Sequence, residues 1–173
     1  MGRVERRSIP SRFHALPALA FSIQVPPDFV APALPEEEAK FENPTFMMPL
    51  WLASSPLAAA LVTVSVRPAY EDGSVIQWLH YLAEAQGLKL TTLMPGTVGT
   101  HAAIIADAEQ EQDGTLLKFR IAALEDGGHL FIVMSMVPAD LWPSFGATLG
   151  DAVASFALAS PQGARAPLVP IEQ

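Results

Sequence analysis

Asp113-Gly114 constrains this chain more than any other pair of residues in it. It stands between Ala102–Gln112 and Thr115–Glu125, two runs that both read as strands. Asp-Gly is the signature of a two-residue type I′ turn, whose central residues both need positive φ and whose twist suits the flanking strands. Such a turn fixes the register: residues whose numbers sum to 227 face each other. Glu109 then faces Lys118 and Asp107 faces Arg120, all on one side of the ribbon. Ala108 faces Phe119 and Ala106 faces Ile121 on the other side. Turn chemistry and pairing chemistry agree. Each exposed ion pair adds only about 0.2–1 kcal/mol, so the agreement carries the inference, not the strength of the pairs.

Asp126-Gly127-Gly128 predicts a second hairpin. Beyond it, Leu130, Ile132, Met134 and Met136 match the inner face of Leu117, Phe119, Ile121 and Ala123, while Phe131 and Val133 point the other way and are also apolar. A strand apolar on both faces belongs in the middle of a sheet, covered on both sides. A helix over residues 140–158 follows, with Asp140 as its cap and Pro143 in the first turn, where a missing N–H does least harm. Leu141, Phe145, Leu149, Val153 and Phe156 form its buried stripe. Gly146, Gly150 and Ala154 form a stripe of small residues. A glycine inside a helix costs about 1 kcal/mol relative to alanine, so this stripe predicts close approach of helix to sheet.

Earlier in the chain, residues 1–20 read as a mobile basic tail with an apolar lead-in. Phe21–Val25 alternates as a half-buried strand and stops at Pro26-Pro27. Asp28–Lys40 is a Pro-rich acidic connection containing Glu36-Glu37-Glu38, read as solvated loop. Asn43–Ala53, broken at Pro49, and Ala58–Arg67 form a hairpin about Ser54-Ser55-Pro56. Ser74 with Gln77 is a capping box for a helix through Val75, Trp78, Leu79 and Leu82 that ends at Gly87. Leu88–Thr97 is a further strand.

Composition limits function. The chain has 173 residues and a net charge of −8. Arg3, Arg6, Arg7 and Arg12 against Glu5 give the first twelve residues +3, which leaves −11 on the rest (−8 less +3). An acidic body argues against a nucleic-acid partner. The absence of cysteine removes disulfides, thiolate nucleophiles and Cys-ligated zinc. No apolar run reaches the roughly 20 residues of a membrane span, and Pro17 interrupts the only stretch resembling a signal-peptide core. A cytoplasmic location is the expectation. His14, His80, His101 and His129 have no metal-ligand spacing. The alternating Asp107, Glu109, Glu111 and Asp113 lack the looped geometry of a calcium site. Gly96–His101 lacks the Lys and helix of a phosphate loop, and no G-x-S-x-G elbow occurs. The chain is read as non-catalytic, with no cofactor and no metal. Its one feature of functional promise is the dense, soft, aromatic group Phe46, Met47, Met48, Leu50, Trp51 and Leu52. The competing reading is that these are core residues of an early strand.

The order of elements resembles the PsbP/DcrB-like family of small α/β sandwiches. The resemblance rests on FSIQVPPDF, a hairpin ending VSVRP, the Trp-bearing helix SVIQWLHYLAEAQGL, the meander LLKFRIAALEDGGHLFIVMSMVP, and a closing helix ending in Ser155-Phe156. It covers residues 21–160 and implies an α+β fold: a central twisted antiparallel sheet with helices on its faces. That gives one sandwich domain at 21–160, a basic tail before it and a loose tail at 161–173. Relatives in that family are mostly non-enzymatic, among them photosystem accessory proteins, lipoproteins and chaperones of type VI secretion effectors. The absence of Cys departs from the lipoproteins, and nothing suggests a plant transit peptide. The resemblance therefore implies a protein-binding accessory or chaperone-like module, with an apolar segment of a secreted effector as partner and a homodimer as a further expectation. The alternatives are a small-molecule binder or hydrolytic enzyme with a pocket between helix and sheet, or a structural subunit. A pocket gathering His101, Asp107 or His129 would favour the enzyme or small-molecule class, and an apolar groove the protein binder.

Overall fold

The computed structural model describes residues 3–10, 20–35 and 38–159. His14, Glu36, Glu37 and the segment 161–173 lie outside the described residues. Among the described residues nine strands and two α-helices follow in order. They are β1 (Arg3–Ser8), β2 (Ala20–Val25), β3 (Met48–Ser54), β4 (Leu61–Pro68), α1 (Val75–Ala85), β5 (Lys89–Val98), β6 (His101–Gln112), β7 (Thr115–Asp126), β8 (His129–Pro138), α2 (Trp142–Ala154) and β9 (Ala157–Ala159). A six-stranded antiparallel sheet has the order β3-β4-β8-β7-β6-β5, and a three-stranded sheet has the order β1-β2-β9. The fold is an α+β sandwich.

The two tight hairpins stand as their turns demand. Asp113 and Gly114 have φ of 51° and 80°, and Gly127 and Gly128 have 58° and 80°. Glu109 pairs with Lys118, Asp107 with Arg120, Ala108 with Phe119 and Ala106 with Ile121. Strand β8 lies between β4 and β7; Phe131, Val133, Ser135 and Val137 are buried on one face, and on the other Leu130 is buried while Ile132, Met134 and Met136 are half-buried. Towards α1, Leu130 joins Ile121, Phe119, Trp78, Leu79 and Leu82 in one cluster. Towards α2 and the smaller sheet, Phe131 and Val133 join Val62, Val64, Val66, Ile23, Leu149 and Phe156 in another.

Three expectations change. The N-terminal segment expected as a tail contributes β1, laddered along the whole of β2. Glu5 adds a tie to β3: its carboxylate accepts from the Trp51 indole N–H at 2.9 Å and balances Arg3 and Arg7 of its own strand at 3.3 and 3.2 Å. The closing helix is also shorter than 140–158. Asp140 lies in a 3-10 turn over Ala139–Leu141, and α2 begins at Trp142 with no side-chain cap. It ends at Ala154, where the Ser155 hydroxyl donates to the Ala152 carbonyl at 2.6 Å and accepts from the Gln24 N–H at 2.8 Å. The chain then turns so that Phe156 is buried between Phe21 and Phe131, at ring distances of 5.4 and 6.2 Å, and β9 pairs with β2. Burial of Phe156 outweighs the helical pattern. The third change concerns the glycine stripe. A Cβ on Gly146 would meet the indole of Trp142 at 2.7 Å, and one on Gly150 would only touch the Arg120 Nη1 at 3.7 Å. Gly146 makes room for a side chain of its own helix, not for the sheet.

Prolines limit pairing at both edges of the large sheet, one on the edge strand β5 and one in the segment that runs beside β3. Pro95 on β5 stands opposite Ile104, and Ile104 in turn faces Ala123 on β7. In antiparallel ladders the bonding direction alternates by residue, so the backbone of Pro95 points outward, where a missing N–H costs nothing and discourages a further strand. At the other edge, Val30 and Ser54 exchange two backbone bonds of 2.9 and 3.0 Å. The ladder would next oppose residue 32 to Leu52, but Pro32 has no N–H to give, and the pairing is an isolated bridge. Replacing Pro95 by Thr is expected to leave the monomer folded but to produce concentration-dependent association, read by size-exclusion chromatography with light scattering. A variant that stays monomeric at the highest concentrations would show that Pro95 does not guard this edge.

Candidate functional site

Helix α1 covers β7 and the strands beyond it but leaves β3 and β4 bare on that face. Along β4, Val62, Val64 and Val66 face the opposite core, so Thr63 and Ser65 face the uncovered side. The result is a groove of about 510 Å³. Its floor is Thr63, Ser65, Ile121, Ile132 and Met134; one wall is Leu79, Leu82, Ala83, Gln86 and Leu88; the other is Leu34, Asn43, Thr45, Phe46, Met47 and Leu52. Among the described residues that line it, none has an ionisable side chain.

The structure divides the six candidate residues. Phe46, Met47 and Leu52 line the groove. Met48 and Trp51 are 3% and 2% exposed and belong to the core beneath the smaller sheet, although Trp51 also borders the cavity. They sit three residues apart yet face the same way because the register shifts between Pro49 and Trp51, which makes Leu50 the extra residue of a β-bulge. Leu50 packs against that same core.

Arg67, which sequence reasoning passed over, holds the groove's outer wall. It is only 6% exposed. Its Nη1 donates to the carbonyls of Asn43, Pro44 and Phe46 at 3.4, 2.9 and 2.9 Å, and its Nε to Pro68 at 3.1 Å. The guanidinium lies 4.4 Å from the Tyr70 ring centre. Tyr70 donates its hydroxyl to the Pro44 carbonyl and packs on Trp78 of α1 at 5.7 Å. Loop and helix are thereby tied together at one end of the groove. The signal in the sequence was a charged residue closing an alternating strand, on the side of Thr63 and Ser65.

The groups that would mark a hydrolytic pocket do not converge on the groove. His101 Nε2 lies 3.2 Å from Asp126 Oδ1, His129 Nδ1 lies 3.2 Å from the Gly127 carbonyl, and Asp107 is paired with Arg120. Among the described residues no group of three or more His, Asp or Glu is placed to hold a metal ion. Among them, too, no helix is long and apolar enough to cross a membrane.

No protein-family model and no curated protein matches the chain. Solved structures do. Cyanobacterial PsbP (CyanoP) from Synechocystis sp. PCC 6803 is similar over 91% of this chain and 94% of its own, with a TM-score of 0.60 and 9% identity. LpqN of Mycobacterium tuberculosis, described as involved in cell envelope biogenesis, is similar over 92% of both chains, with a TM-score of 0.58 and 11% identity. The likeness is one of fold: the chain has a PsbP-like sandwich.

Arg67→Lys keeps the charge but loses the fork that serves four carbonyls. Urea denaturation is expected to show a loss of about 1.5–3 kcal/mol, the scale of a hydrogen bond to a charged group; a loss within error would mean that the clamp is idle. Burial, opposed by Arg67 and aided by Tyr81, raises Tyr70 above the ordinary value of 10.0. Its neutral form is the one the fold favours. This contribution to stability is present in full below that ordinary value and is lost as pH rises through the higher folded one. Ultraviolet titration is expected to show a tyrosine phase above the ordinary value, and Tyr70→Phe to remove that phase.

Proposed function

We propose that this protein is a non-catalytic accessory module that receives an apolar segment of another protein in the groove between α1 and the β3–β4 hairpin. The observation that carries the reading is the groove itself: about 510 Å³, open beside α1, with apolar walls and, among the described residues that line it, no acid, base or cation. Thr63 and Ser65 are the hydroxyls on its floor, and among the described lining residues no histidine or carboxylate stands by to activate them. Met47 and Met134 give it two adaptable surfaces. The apolar side chains that line the groove would read the partner by its own side chains. A chaperone role toward a bacterial secretion effector, in the cytoplasm and as a dimer, is the narrower form of this proposal and draws on the family resemblance.

A small apolar molecule is the second reading, favoured by a volume within the roughly 300–1,000 Å³ of ligand cavities. A photo-crosslinking residue at Met47 separates the two in the native host. The expected result is a discrete protein adduct, absent from the same probe at Leu116 on the far hairpin tip, and reduced on the order of tenfold, about 1.4 kcal/mol, by Leu52→Glu. Equal labelling from both positions would overturn the protein-binding reading. A small apolar molecule carried through purification and displaced by Leu52→Glu would establish the second.

A further inference from the structure

On the opposite side of the large sheet, where β5, β6 and β7 run beyond the cover of α2, a second cavity of about 360 Å³ has a different character. Ala103, Ala122 and Leu124 are buried under α2 and the smaller sheet. Beyond Ile105 on β6 and Ala122 on β7, the same face turns charged. Asp107 and Glu109 on β6 meet Arg120 and Lys118 on β7, and all four line the cavity. Their side chains are 31–36% exposed, so they remain open to a ligand.

Trp142, the first residue of α2, supplies an aromatic wall to this bowl. Its position is bought with Gly146, since a Cβ there would collide with the indole at 2.7 Å. A helix-interior glycine gives up about 1 kcal/mol relative to alanine, and what it permits here is an indole lying along its own helix at the bowl. The Lys118 Nζ stands 5.8 Å from the centre of that ring. Among the described residues the indole N–H has no partner.

The polar rim is only partly used by its own pairs. Arg120 and Asp107 are joined at 2.5 Å, with the Thr92 hydroxyl on the other carboxylate oxygen at 2.9 Å. Lys118 and Glu109 stand 3.7 Å apart, too far for a hydrogen bond, and keep donor and acceptor capacity free. Two cations and two anions cancel, so the bowl offers no net attraction to an ion of either sign. It offers donors and acceptors side by side around an aromatic surface. The ligand chemistry that matches is a group that both donates and accepts, repeated on a ring with an apolar C–H face.

We infer that this bowl, formed by Trp142 with Lys118, Glu109, Asp107, Arg120 and Thr92, is a binding site for a neutral carbohydrate. A sugar ring would lay its C–H face on the indole, as apolar matter does on aromatic surfaces. Its hydroxyls would accept from Lys118 and the indole N–H and donate to Glu109. The site lies on the opposite face of the sheet from the groove proposed for a protein partner and does not depend on it.

The test uses the full chain, isotopically labelled, titrated with a panel of neutral saccharides that includes maltose, cellobiose and chitobiose. Saturable shifts in the amide and indole resonances of Thr92, Lys118 and Trp142 are expected for at least one member. Trp142→Ala should weaken that binding on the order of tenfold or more. Leu52→Glu, in the distant groove, should leave it unchanged. Because Trp142→Ala also alters packing, Lys118→Ala and Trp142→Phe serve as milder variants: the first should weaken binding and the second should retain part of it. No saturable response to any saccharide would overturn the assignment. So would saturation unaffected by Trp142→Ala and Lys118→Ala, or tighter binding of a nucleoside or of inorganic phosphate than of every sugar tested.

Discussion

Phe131 and Val133 leave β8 on one side and Leu130 leaves it on the other, and all three are at most 2% exposed. Neither face of this strand can stand in water, and the rest of the molecule supplies the two covers. On one side Trp78, Leu79 and Leu82 of α1 close over Leu130 and its neighbours on β7. On the other, α2 and the small sheet bring Leu149, Phe156 and Ile23 against Val64, Phe131 and Val133. At about 25 cal/mol per Å² of apolar surface removed from water, these two interfaces are the main attractive term. The tight turns determine which residues enter them.

The covers do not extend over the whole sheet, and the two cavities lie at their limits. α1 stops short of β3 and β4, which leaves an apolar groove walled by a loop that Arg67 clamps. α2 stops short of the far ends of β6 and β7, where alternating carboxylates and cations take over from alanine and leucine. One uncovered region is uncharged and the other is electrically balanced. They are suited to different partners for that reason.

Much of this arrangement was legible in the residues. Asp113-Gly114 and Asp126-Gly127-Gly128 gave the register of three strands, because a two-residue turn with positive φ leaves no slack. Ser74 and Gln77 gave the start of α1 through a capping box. What could not be read were contacts between residues far apart in the chain. Glu5 ties a basic segment to β3 through Trp51, 46 residues away, and Gln24 meets Ser155 across 131. For the segment at 46–52 the residues alone leave surface and core both open; the bulge at Leu50 turns Met48 and Trp51 into the core and leaves Phe46, Met47 and Leu52 at the groove.

The sequence by itself determined the meander, its register and the apolar character of both faces of β8, because turn geometry and two-residue alternation are local properties of the chain. Tertiary structure decided which parts of the sheet would stay uncovered. A helical pattern through residue 158 gave way at Ala154 because burying Phe156 between Phe21 and Phe131 stabilises more than another helical turn. The place where a helix ends against a sheet depends on the volume available over it, and that volume is set by side chains from every layer at once.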